Sequence, residues 1–290
     1  MGVTRTAVAE GRALVAGTGR GLSGRDLAGA SATLTYYAGI AVVAWLLLVL
    51  WTTSWGTGAD GAEERWARLR VLVPPDMGGR PAYDALVAAG THLGLLGAVV
   101  VLFPASFYGE GLRRAATALV PDPDPPRFPA WRARVLALAP ALVLPALAWP
   151  LLLVGDLLVP LAPEGGGGGA GDLVLRVVVG FTLLWLVLAV LLAWSFRVIL
   201  PDPPRTWVAV LGGMATGAFL AGFLHGFQLF LSLPVDVGVP YGGLGVAGGV
   251  VAVGLWLFVL HTFLLLGWLA TRALEERVAR SPRTDGGGRA

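Results

Sequence analysis

The stretch LVLRVVVGFTLLWLVLAVLLAWSF, Leu173–Phe196, decides the fold class. Arg176 is its one charged residue, and a helix of this length spans a hydrocarbon layer of about 30 Å at about 1.5 Å per residue. In water the run would expose apolar side chains on every face. In lipid a helix satisfies its own backbone and its side chains match the solvent. Working outward, five further segments meet the same length requirement: Ser31–Thr53, Thr91–Leu112, Val135–Leu161, Trp207–Leu233 and Leu244–Thr271. The expected fold is therefore all-α, a polytopic integral membrane protein built as a bundle of about six transmembrane helices.

Composition agrees. Of 290 residues 56% are hydrophobic and 13% charged, with a mean hydropathy of +0.74. Soluble domains carry roughly 25% charged residues, so the excess apolar surface has to face lipid. There is no cysteine, which excludes disulfides, thiolate metal sites and cysteine nucleophiles. All 21 basic residues are arginine, and this lysine-free, Ala/Gly/Pro-rich usage resembles that of a GC-rich bacterial genome. A net charge of +3 is too small to point to a nucleic-acid partner.

The connections set the organisation. Residues 1–24 read as a flexible cytoplasmic tail, 25–278 as the membrane domain and 279–290 as a disordered cytoplasmic tail. Gly17–Gly21 (GTGRG) follows no strand and lacks the Lys-Ser/Thr ending of a phosphate loop, so it reads as a linker. The first 30 or so residues hold no apolar core bounded by a small-residue cleavage site, so the first long run is expected to stay as a helix. Residues 54–90 read as an extracytoplasmic loop, with EERWARLR at 63–70 forming a short interfacial helix anchored by Trp66. Two short Pro-Asp-Pro connections, 120–128 and 200–207, carry arginines, and a Gly-rich external loop lies at 163–169. In the segment 135–161, Pro140, Pro145 and Pro150 predict kinks, which lipid tolerates only where protein or water re-satisfies the freed carbonyls. Sixteen arginines fall on the side of the termini and the Pro-Asp-Pro turns, and five on the other. The positive-inside rule then places both termini in the cytoplasm.

Polar residues inside the spans are few, and each is a functional candidate by default. His225 and Gln228 share a face of the fifth span, His261 lies late in the sixth, and His92 opens the second. Glu110 with Arg113 or Arg114 has ion-pair spacing at the inner end of the second span, Arg197 ends the fourth, and Tyr36-Tyr37 open the first. Three scattered histidines with no His-x-x-x-His pair do not make a metal site. No Walker motif, nucleophile elbow or triad spacing is present, so neither a cofactor nor enzymatic chemistry is expected. Gly213/Gly217 and Gly245/Gly249 have Gly-x-x-x-Gly spacing, which allows helices to approach closely.

Four stretches together resemble the YihY/virulence factor BrkB family of bacterial inner-membrane proteins. They are Ala32–Ala38 (ATLTYYA), Gly94–Gly97 (GLLG) followed by Pro104-Ala105-Ser106, Phe196–Pro201 (FRVILP) with Trp207 and Gly212-Gly213, and Tyr241–Gly245 (YGGLG) with Leu255–Phe258 and Leu265–Gly267. The likeness runs over residues 25–278. The chain departs from the family pattern at Ala44, where a proline is common. It departs again at Trp268-Leu269, where an acidic residue usually follows the glycine, so no role of that acid carries over. The resemblance implies a six-helix bundle with cytoplasmic termini, a link to serum resistance and movement of lipid-like molecules. An older ribonuclease label attaches to the family, but no cytosolic carboxylate or histidine cluster supports it here.

The leading expectation is a plasma-membrane protein that transports or flips an amphipathic, lipid-like substrate, with membrane lipids as its partners. Tyr37, Glu110, Arg197, His225 and Gln228 are expected to line its path. The alternatives are a non-catalytic scaffold of envelope machinery, and an intramembrane enzyme using His225 and His261. Cargo, energy source and oligomeric state are open.

Overall fold

The computed structural model describes residues 2–70, 79–120, 130–142, 149, 152, 169–231 and 238–280. Among these there is no strand. The helices are α1 (Gly2–Leu22), α2 (Leu27–Leu69), α3 (Gly79–Thr91), α4 (Leu95–Leu119), α5 (Ala130–Leu138), α6 (Ala170–Trp194), α7 (Thr206–Leu231) and α8 (Gly245–Arg280). Five stretches among the described residues are long and apolar enough to cross a membrane: Leu27–Leu69, Leu95–Leu119, Val177–Ile199, Thr206–Phe227 and Ala247–Arg280. They coincide with the expected first, second, fourth, fifth and sixth spans. The expected third span, 135–161, is described only over 135–142 and at Trp149 and Leu152. Of its prolines, Pro140 lies in a 3-10 turn, Ala139–Leu142, while Pro145 and Pro150 lie outside the described residues. So do 121–128 of the first Pro-Asp-Pro connection, 163–168 of the Gly-rich loop and the tail 281–290.

Two regions differ from the reading of the sequence. The segment expected as a mobile tail is helical over Gly2–Leu22. Its small residues Ala13, Gly17 and Gly21 recur every fourth position, so they form one narrow face. That face lies on α8, where a Cβ at Gly17 would stand 3.2 Å from Ala273 Cβ. Arg277 Nη2 closes the contact on Glu10 Oε2 at 2.7 Å.

The expected loop 54–90 is a helical hairpin over 54–69, with a further helix at 79–90. α2 continues past the membrane-spanning run and turns at Gly58, whose φ of 76° suits glycine and few other residues. The EERWARLR segment then folds back as a helix, as its charge pattern predicts. Trp66 Nε1 donates to Thr53 Oγ1 at 3.0 Å, and Tyr83 of α3 donates to the Trp66 carbonyl at 2.6 Å. Arg70 pairs with Asp84 at 2.8 Å, and His92 meets Glu63 at 2.9 Å. Burial, helped by the Asp84 carboxylate, pushes the Tyr83 phenol up to about 12, so this hairpin keeps its hydroxyl donor at physiological pH.

In the bundle, α2 packs most extensively on α4 and α6 on α7, and α8 closes against α2 and α7. Asp26 starts α2 by accepting from Gly29 N at 2.8 Å. After α6 a π-helical turn, Ser195–Ile199, leads into Pro201, where helical hydrogen bonding stops. The turn 200–205 is tied to α8 by Arg272–Asp202 at 2.8 Å and Arg205–Glu275 at 3.2 Å. The fully buried side chains Trp268, Phe196, Leu34, Leu112, Leu220 and Leu265 fill the centre. One end of the bundle thus holds α1, the ends of α4, α6 and α8, and the starts of α2 and α7. Trp149 stands against Gly56 and Arg65 at the other end.

Candidate functional site

The densest polar grouping within the described spans lies between α2, α4 and α5. Glu110 sits on α4, roughly 14 Å along the axis from Leu119. Its side chain is 6% exposed and its Oε1 accepts from Arg114 Nε at 2.6 Å and Arg113 Nη2 at 3.3 Å. These contacts follow from helical spacing, since i+3 and i+4 lie above one position on the same face. Arg114 also stands over the Tyr37 ring at 5.8 Å. Tyr37 is held there because Gly111 offers no side chain, and a Cβ on it would strike Tyr37 Cβ at 2.5 Å. Phe107 stacks on Tyr37, with centroids 6.2 Å apart.

A third arginine arrives from α5. Arg134 lies 3.8 Å from the Phe107 centroid and 5.4 Å from that of Phe103. Its approach depends on Gly109, against which the Ala133 carbonyl and the Ala137 methyl close in. Arg134 makes no ion pair among the described residues, and its buried Nε has no hydrogen-bond partner there. The buried Glu110 Oε2 and Arg113 Nε share that state. The group therefore holds three guanidinium ions against one carboxylate, an excess of two positive charges. Such an excess is costly in an apolar setting unless an anion joins it. Aromatic faces offset only part of that cost, at about 1–2 kcal/mol per desolvated cation–π contact.

The group opens sideways. Tyr36, Phe103, Trp131 and Val135 around it are exposed on the flank of the bundle. An apolar, aromatic-rich rim beside partly buried guanidinium groups suits a molecule with an anionic head and a hydrocarbon tail. No group of three or more His, Asp or Glu that could hold a metal occurs among the described residues.

Of the residues expected to line a path, Tyr37 and Glu110 come together here through Arg114. The other three do not join them. His225 is half-buried on α7 about 28 Å along the axis from its start, nearer the other end of the bundle. Its Nδ1 donates to the Ala221 carbonyl at 2.8 Å, and its ring packs on Phe181 of α6, centroids 5.7 Å apart. Gln228 lies three residues further on α7, and its side chain is outside the described residues. Arg197 is exposed on the π-helical turn.

A second polar contact joins three helices more deeply. His261 of α8 is 2% exposed. Its Nδ1 donates to the Leu257 carbonyl at 2.7 Å and lies 3.3 Å from Thr35 Oγ1 of α2. Its Nε2 faces the Tyr108 hydroxyl of α4 at 3.5 Å. Arg134 and His261 are the residues whose importance the sequence understated. Arg134 had only its place in Arg132-Ala133-Arg134 at the head of an apolar run, which reads as a topology signal. For His261 no partner lies within 100 positions except on its own helix, so periodicity had no means of ranking it above His225.

The model of the family described as Virulence factor BrkB matches residues 18–287, nearly the whole chain. No curated protein and no solved structure matches it.

Proposed function

We propose that this chain, which belongs to the Virulence factor BrkB family, moves or flips an amphipathic, lipid-like substrate with an anionic headgroup. The observation that carries the reading is the lateral site: Arg113 and Arg114 share one carboxylate, Glu110, and Arg134 stands nearby on Phe107 with no carboxylate among the described residues, beside an exposed aromatic rim. A phosphate headgroup entering from the flank would supply the missing negative charge, and guanidinium ions bind phosphate through paired hydrogen bonds. Its acyl chains would stay against Phe103, Trp131 and Val135 on the apolar flank. The site needs no cofactor for this, and binding and reorientation involve no bond-making, so the protein is read as a non-enzyme. The family resemblance suggests a bacterial plasma membrane, and the sixteen-to-five arginine distribution favours both termini in the cytoplasm. In that orientation the site lies nearer the inner leaflet.

The test is a scrambling assay with the full chain in liposomes carrying a trace of fluorescent phosphatidylglycerol or phosphatidylcholine. The expected result is faster equilibration of the anionic probe than in protein-free liposomes, reduced about tenfold by Arg134→Gln, the loss of roughly one charge-assisted contact. Equal rates with and without the protein for both probes would end the transport reading and favour a scaffold.

A further inference from the structure

A separate cavity of about 240 Å³ lies at the end of the bundle that carries α1 and the end of α8. Its floor is apolar, made by Leu119, Leu269 and Ala273, and its walls carry Arg20 from α1 with Arg272, Arg277 and Arg280 from α8. Among the described residues Glu276 is the one acidic side chain lining it. Two carboxylates reach the arginines from outside the lining, Asp202 on Arg272 and Glu10 on Arg277. Arg20 makes no ion pair among the described residues, and the Arg280–Glu276 pair at 3.2 Å is largely exposed and therefore weak.

We propose that this cavity is a binding site for a phosphate-bearing anion, which bridges Arg20 to Arg280 and clamps α1 onto α8. Size supports the class. The cavity equals about eight times the liquid volume of one water, enough for a phosphate with a small polar substituent. Its guanidinium walls present N–H donors in the planar fork that matches phosphate oxygens. The bridging role follows from packing, since α1 packs extensively on α8 alone. Its contact face there is made of small residues, Ala13, Gly17 and Gly21, which bury little apolar area. The site is independent of the lateral group around Glu110, and neither requires the other. A soluble phosphate ester and the headgroup of an anionic lipid at the interface share this chemistry.

The experiment measures amide hydrogen exchange of the full chain in phosphatidylcholine nanodiscs, in chloride and in inorganic phosphate at equal ionic strength. It is repeated in chloride with phosphatidic acid included in the discs. Binding slows exchange across residues 10–22 about fivefold when the anion stands at about four times its Kd. Slowing by inorganic phosphate assigns a soluble ligand, and slowing by phosphatidic acid alone assigns a lipid headgroup. In the double variant Arg20→Gln/Arg280→Gln, which removes no buried ion pair, the slowing is lost. No slowing with either probe overturns the proposal, as does equal slowing in the variant.

Discussion

The two most extensive helix pairs, α2 with α4 and α6 with α7, share one device and differ in everything around it. In each, an indole crosses to the neighbouring backbone: Trp45 Nε1 donates to the Ala105 carbonyl at 3.1 Å, and Trp185 Nε1 to the Met214 carbonyl at 2.8 Å. Around Trp185 the helices meet by backbone approach. Cβ atoms placed on Gly213 and Gly217 would stand 2.7 Å and 3.0 Å from backbone nitrogens of α6. Where α4 meets α2 the packing is by side chains, with Tyr37, Phe107 and the Glu110–arginine group filling the seam. Close backbone contact leaves no volume for a ligand. A seam built of long polar and aromatic side chains can exchange one partner for another. The lesson is that the proposed substrate site falls where side chains fill the seam, on the polar α2–α4 flank, while the glycine-rich α6–α7 seam is closed by backbone contact.

The largest effect expected from breaking this contrast is at Gly213. Gly213→Ala places a methyl against the Ala193 nitrogen and Ala189 carbonyl, atoms that cannot swing aside, and should cost about 3 kcal/mol. Gly226→Ala meets nothing within 4 Å and should be neutral or gain up to about 1 kcal/mol of helix propensity. Thermal unfolding in detergent reads both, and equal losses from the two would erase the distinction between seam and surface.

Next in size is Glu110→Gln. It leaves Arg113 and Arg114 without their carboxylate and should cost about 2 kcal/mol, below the usual figure for a buried pair because Arg114 is 56% exposed. A double-mutant cycle with Arg114→Gln should recover about 1 kcal/mol of coupling. No coupling would mean that the ion pair is incidental to the seam.

The smallest effects separate the two membrane histidines. His261→Leu strands the Tyr108 hydroxyl and removes the contact to Thr35, at about 1 kcal/mol. His225→Leu gives up a bond within its own helix on a half-buried face and should stay within about 0.5 kcal/mol. A larger loss at His225 would reverse the ranking of the two flanks.

Five of the expected spans were legible because each is a local property. Segments such as Leu173–Phe196 carry enough consecutive apolar residues to cross lipid, and Pro201 marks where one of them ends. The hairpin beyond α2 was half legible: the charge pattern of 63–70 indicated a helix, but nothing local showed that Trp66 would reach Thr53 or Arg70 meet Asp84. Likewise α1 looked like a linker because Gly11, Gly17, Gly19 and Gly21 lower helix propensity. Its contact face on α8, 250 residues away in the chain, reverses that preference.

The sequence by itself determined that this is an all-α membrane protein, since the length and apolarity of a run suffice to demand a spanning helix. It also determined the short-range pairing of Glu110 with Arg113 and Arg114, which the helical repeat enforces. Only the tertiary structure decided that Arg134 joins them, that Tyr37 closes the group over Gly111, and that His261 rather than His225 bridges helices. In lipid every face of a spanning helix is apolar, so hydrophobic pattern no longer distinguishes inside from outside. Side-chain shape across distant helices makes that choice instead.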